Sequence, residues 1–141
     1  MKNMAFASVG RVIIAMHNEL PPTNGEWEEY VKILQKVTDL SAIRTMALTD
    51  GGAPNSNQRK QLNDILRGRP NLGAVVTGNG LVRSVVTALT WFNPAVKAFP
   101  PERVKEAYVH LQLGPLEVEG VERQIQVLAK TFGVPLNCIP R

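Results

Sequence analysis

Two glycine-containing turns in this sequence each follow a residue type that could do chemistry. Thr49-Asp50-Gly51-Gly52 sets a carboxylate at the end of an apolar run, where a phosphoacceptor aspartate would sit, with Lys97 on a later apolar run as its companion. Thr77-Gly78-Asn79-Gly80 precedes a helix-like stretch, and Asn79 and Gly80 could offer backbone N–H groups to a phosphate or another small ligand. Neither constellation is complete. A receiver-type site needs an acidic pair after the first strand to carry magnesium, and "AMHNELPP" offers only His17 and Glu19, which makes Asp50 the weakest of the enzyme readings. A phosphate loop needs the Walker lysine and serine or a third Rossmann glycine, and neither follows Gly80. His17 and His110 are distant in sequence, and His110 reads as a solvated or capping residue at the end of an amphipathic helix. The single cysteine, Cys138, has no partner for a disulfide or zinc site, and its apolar neighbours supply no base. No nucleophile, base and orienter stand together, so a non-enzymatic protein without metal or cofactor is expected.

Ser56 raises a different chemistry. It opens a helix that carries Arg59, Lys60, Arg67 and Arg69, and a phosphate on it would be favoured by the helix dipole and the nearby cations. Asn55 beside Ser56 is equally a plain helix cap. The same helix could receive an acidic partner, with Asp50, Asn55, Ser56, Arg59, Lys60 and Arg67 forming the docking edge.

The elements that would position these residues follow from periodicity. "GRVIIAMHNE" is a β-branched run of strand length within a first strand or hairpin, stopped by the two prolines of "LPPTNG". Thr23 and Glu26 have capping-box spacing, and Trp27, Tyr30, Val31, Leu34 and Val37 make one face of residues 24 to 38 apolar. "AIRTMALTD" is strand-like, and Asn55 with Gln58 caps a helix over residues 56 to 68 whose apolar stripe is only Leu62, Ile65 and Leu66. "LGAVVTGNG" and "AVKAF" read as strands around "LVRSVVTALTWF", which reads as a buried helix. Trp27, Trp91 and Phe92 fall on apolar faces and are core or interface. Pro101 starts a further helix, and a last one, about 117–133, ends at Gly133 ahead of a short C-terminal tail. Strand, short loop and helix in succession imply α/β: one domain over residues 1–141, with a mostly parallel sheet of about four to five strands and helices packed on it.

The order of these elements, with "TDGGAPNSNQRKQLNDIL" and "VVTGNGLVRSVVTALTWFNPAVKAF", resembles the STAS domain of anti-sigma-factor antagonists and their STAS/SEC14-like relatives over roughly residues 5 to 113. The resemblance implies a bacterial regulatory or adaptor module that works by protein–protein interaction. In the antagonists a loop serine is phosphorylated by a partner kinase, and the positional match is Ser56, here flanked by Asn55 and Asn57. A small-ligand or nucleotide-binding protein, or an enzyme using the carboxyl edge of the sheet, stands as the alternative.

Composition sets outer bounds. The chain has 141 residues, 44 % hydrophobic and 20 % charged, with a net charge of +4. That is globular composition with no run of roughly 18 apolar residues to span a bilayer. The start lacks the continuous apolar core of a secretory leader, so a cytoplasmic location is expected. Basic residues are interleaved with acids except around Arg59 to Arg69, which argues against nucleic acid and for a protein partner with an acidic surface. Self-association stays open.

Overall fold

Gly10 begins the architecture. At φ +56° it takes the left-handed conformation that a two-residue turn requires, and it folds β1 (Met4–Val9) antiparallel onto β2 (Val12–His17), from Val9 opposite Val12 to Met4 opposite His17. The computed structural model describes residues 2–67, 71–78, 80 and 95–140. Within them β2, β3 (Arg44–Thr49), β4 (Leu72–Val76) and β5 (Val96–Phe99) run parallel, and the sheet has the order β1-β2-β3-β4-β5. The protein is therefore α/β with a single, mostly parallel sheet, and β3, β4 and β5 are adjacent and parallel as their short loops require. The segment 81–94, with its expected helix, Trp91 and Phe92, lies outside the described residues, as do Arg69 and Asn79.

Alternation along β2 divides the core. Ile13 and Ala15 face α1 (Asn24–Gln35) and, beside it, α2 (Ser56–Leu66), joining Trp27, Tyr30, Val31 and Leu34. Val12, Ile14 and Met16 face the opposite way, toward α3 (Val104–His110) and α4 (Pro115–Ala129), with Ala107, Leu111, Val121 and Ile125. The capping boxes read from the sequence both form: Thr23 with Glu26 starts α1, and Asn55 with Gln58 starts α2. Pro101 opens a short 3-10 turn, Pro101–Arg103, ahead of α3 rather than the α-helix itself. The final helix ends at Ala129 and a 3-10 turn carries the chain to Gly133, which closes it at φ +71°. Gly120 lets α4 press onto the hairpin, since a Cβ there would meet Val9 Cγ1 at 3.0 Å.

Strand order has a consequence for the site. In doubly wound sheets the ligand crevice opens where the strand order reverses and neighbouring crossovers leave on opposite faces. Here the order is sequential, and α1 and α2 share one face. The loops after β2 and β3 accordingly pack on each other. Gly52 donates its N–H to the Asn18 carbonyl at 2.8 Å, and a Cβ on Gly52 would collide with the Leu20 carbonyl and reach within 2.6 Å of the Asn18 oxygen.

Backbone cannot retreat as a flexible side chain can, so Gly52→Ala should lose about 1–3 kcal/mol of stability. Urea unfolding checks this, and a change below about 0.5 kcal/mol would show that the two loops are not pressed together.

Candidate functional site

The carboxyl ends of the parallel strands bring together the loops after His17, Thr49, Thr77 and Phe99. Thr49 organises the second of these: its hydroxyl donates to the Gly52 carbonyl at 2.6 Å and accepts from the Gly51 N–H at 3.0 Å. Asp50 then leaves the sheet with its carboxylate aimed at the C-terminal segment. Its two oxygens accept the backbone N–H of Asn137 at 2.9 Å and of Cys138 at 2.7 Å. The residue read as a phosphoacceptor or docking group thus holds the tail across the edge. Cys138 is fully buried beneath it, and burial, with the Asp50 charge second, pushes the thiol far above its ordinary pKa. An open cleft of about 400 Å³ lies alongside, lined by Gly78, Pro101, Glu102, Asn137 and Ile139. Gly80 is exposed at the start of the next helix-like stretch.

Helix α2 starts a few residues beyond. Asn55 Oδ1 accepts the Gln58 N–H and Gln58 Oε1 accepts the Asn55 N–H, both at 2.9 Å. Ser56 is exposed in the first turn and its hydroxyl oxygen accepts from Arg59 Nη2 at 3.2 Å. Arg59 is half-buried, because its other guanidinium nitrogen donates to the Pro54 carbonyl at 3.0 Å. It braces the loop in addition to adding charge. Lys60 and Arg67 are exposed, as is Asp64 between them, so the positive face is thinner than the sequence pattern alone conveys. Next to Asp64 and Arg67 a groove of about 510 Å³ runs between α1 and α2, floored by Val31, Leu34 and Ile65. Asn55, Ser56, Arg59, Lys60 and Arg67 therefore lie on α2 and its two caps, while Asp50 faces the tail.

Several residues do work beyond what local spacing signals. Gln58 is 2 % exposed, and its amide donates to the Pro22 carbonyl at 3.1 Å and to Asn24 Oδ1 at 3.3 Å. Its main-chain oxygen accepts the Trp27 indole N–H at 3.1 Å. The same side chain that caps α2 therefore joins the starts of both helices. His110 is not a solvated terminus: its Nε2–H lies between the carbonyls of Gly73 at 2.9 Å and Ala95 at 2.8 Å, where it ties α3 to β4 and the start of β5. Glu26 gathers the N–H groups of Asn3, Met4 and Thr23. Burial pushes its carboxyl pKa up, but these bonds outweigh that and hold it below its ordinary value.

Among the described residues no group of three or more His, Cys, Asp or Glu is placed to hold a metal ion, and no helix is long and apolar enough to cross a membrane. No protein-family model, curated protein or solved structure matches the chain.

Two measurable consequences follow from these polar groups. Asp50→Ala removes two charge-assisted bonds, each contributing about 1.5–3 kcal/mol. The tail should open more often, and the one thiol in the chain should react at least about tenfold faster with a disulfide reagent. Amide hydrogen exchange at Asn137 and Cys138 should accelerate in parallel, and unchanged exchange would mean that Asp50 does not anchor the tail.

His17 supplies the second. It is buried at the end of β2 with Nδ1 unpartnered, and burial lowers its pKa to about 4, offset in part by the Glu26 charge. The unfolded ring titrates near 6.5, so on acidification the unfolded state takes up the proton first. The stability contributed by neutral His17 is complete above that value and is lost as the pH falls toward about 4, by roughly 3 kcal/mol in all. Urea midpoints should drop over this window for the native chain and much less for His17→Leu; parallel curves would show that the ring is not held neutral.

Proposed function

We propose that this protein is a non-enzymatic regulatory or adaptor module of STAS type, acting in the bacterial cytoplasm by binding another protein through α2 and the groove beside it. The STAS and bacterial parts of the reading rest on the resemblance of "TDGGAPNSNQRKQLNDIL" and the strand-helix order around it, and the cytoplasmic part on the lack of a leader-like apolar start. What carries the binding surface is the helix itself. Gln58 is the one fully buried residue of α2, while Ser56, Asn57, Lys60, Gln61, Asn63, Asp64 and Arg67 are exposed. An apolar floor with a polar rim suits a partner segment, since desolvated contacts at the centre supply affinity and charges at the rim supply orientation and rate. Ser56 sits where added negative charge would meet the N-terminal amides of α2 and Arg59, so phosphorylation there could be tolerated by the fold and still alter the contact.

A second reading draws on the cleft beside Gly78 and Asn137. Glu102 on its wall and Asp50 next to Asn137 give that edge acidic character, which suits a cationic or hydroxylated small molecule better than a nucleotide phosphate. The cleft is open and Asp50, the carboxylate behind Asn137, is engaged by the tail, which favours the protein-binding reading.

The two are separated by a partner capture. Native chain should retain a protein from the cell of origin, and Lys60→Glu with Arg67→Glu should slow its association roughly tenfold at low salt while leaving the melting temperature within a few degrees, since exposed charges contribute little to stability. Ser56→Glu tests the switch independently. If a captured partner binds both variants with native affinity and on-rate, α2 is not the docking surface.

A further inference from the structure

The two edges of the sheet are built differently. Strand β5 is four residues long, carries the exposed Lys97 and runs into Pro100 and Pro101. Short length, an edge lysine and nearby prolines are devices that discourage strand addition. Strand β1, "MAFASV", has none of them: six residues, no charge, no proline, and unbroken register against β2 with no bulge.

Its hydrogen-bonding phase is readable. The Asn18 N–H donates to the Asn3 carbonyl at 3.0 Å, and antiparallel pairing alternates, so Asn3, Ala5, Ala7 and Val9 turn their main-chain groups toward β2. Met4, Phe6 and Ser8 turn theirs outward. The outward Met4 N–H is taken by Glu26 at 3.2 Å, which leaves the N–H and C=O of Phe6 and Ser8 as the open rung among the described residues.

We propose that this edge pairs with a second copy of itself, β1 against β1 across a two-fold axis at Ala7, with Phe6 opposite the other copy's Ser8. Three observations favour this occupant. A strand related to itself by a two-fold axis is necessarily antiparallel, and Phe6 and Ser8 are then in matching phase to exchange both N–H···O bonds. Phe6 is only partly buried, edge-on to Tyr30, and Ile33 is another partly buried residue of the same core cluster, so the joint would cover apolar surface over the α1 face. Finally, α1 is charge-complementary to its own reverse. Glu26 lies over the start of β1, and Glu29, Ile33 and Lys36 continue that row at helical spacing, with Glu29 and Lys36 exposed. The two-fold axis sets Glu29 of each copy against Lys36 of the other.

The test is sedimentation equilibrium of the full chain across its accessible concentration range. A dimer is expected. Ser8→Lys places a charge on the shared edge and Glu29→Lys turns two attractions into repulsions, and each should weaken the dimer about tenfold or more with the circular dichroism spectrum unchanged. The charge swap Glu29→Lys with Lys36→Glu should restore native association, a recovery that damage to the fold would not give. A monomer at every concentration, a dimer indifferent to either substitution, or a swap that fails to recover overturns the proposal.

Discussion

One buried glutamine holds together the face of the sheet on which α1 and α2 lie. A primary amide taken out of water costs free energy unless both its ends are paired, and Gln58 meets that condition with the Asn55 N–H on its oxygen and the Pro22 carbonyl and Asn24 side chain on its nitrogen. Each of these partners lies at a helix start. The amide thereby fixes the beginnings of α1 and α2 relative to each other, and the indole of Trp27, bonded to the Gln58 carbonyl, carries that constraint into the core beneath α1. The close seat of Gly52 on Asn18 and the capping of both helices go with the placement of these loops that the glutamine holds.

At the carboxyl edge, the loops after β2 and β3 are thus largely taken up by structure. Asp50 anchors the tail, Thr49 closes its own loop, and the Asn18 carbonyl accepts from Gly52 while its side-chain oxygen accepts the Leu20 N–H at 2.8 Å. Parallel sheets usually have polar groups to offer at this end because helix N-termini converge there. In this chain the sequential strand order sets successive loops against each other, and the loops satisfy one another's donors and acceptors. Groups locked in this way give rigidity but cannot also turn to a substrate.

What could be read from the sequence was whatever depends on neighbours a few residues apart. Thr23 with Glu26 and Asn55 with Gln58 announce helix starts because a cap is made within three residues, and the alternation in β2 and the stripe of α1 report burial because side-chain direction repeats with the backbone. The parallel arrangement followed from loop lengths. The second role of Gln58, the grip of Asp50 on Asn137 and Cys138, and the bonds of His110 to Gly73 and Ala95 were not legible, since each joins residues far apart in the chain, the nearest pair 15 positions, through groups with no periodic signature. Arg59 is instructive in the same way. A basic residue on a sparse helix reads as solvated surface, yet its guanidinium had a carbonyl five residues back to brace.

The division between used and unused polar groups decides where contacts with other molecules can form. A side chain whose donors and acceptors are already satisfied inside the fold must break those bonds before it can bind anything else, and for a charge-assisted bond that costs about as much as a new one returns. Asp50 and Gln58 are in that position. Lys60 and Arg67 are exposed on α2, and the outward amides of Phe6 and Ser8 lie along β1, where a new bond would displace only water. Among the described residues, this helix face and this strand edge are both broad and shallow. Such surfaces suit recognition of another polypeptide, which can follow them over many residues, better than the enclosure of a small reacting molecule, which needs its groups to converge on one point.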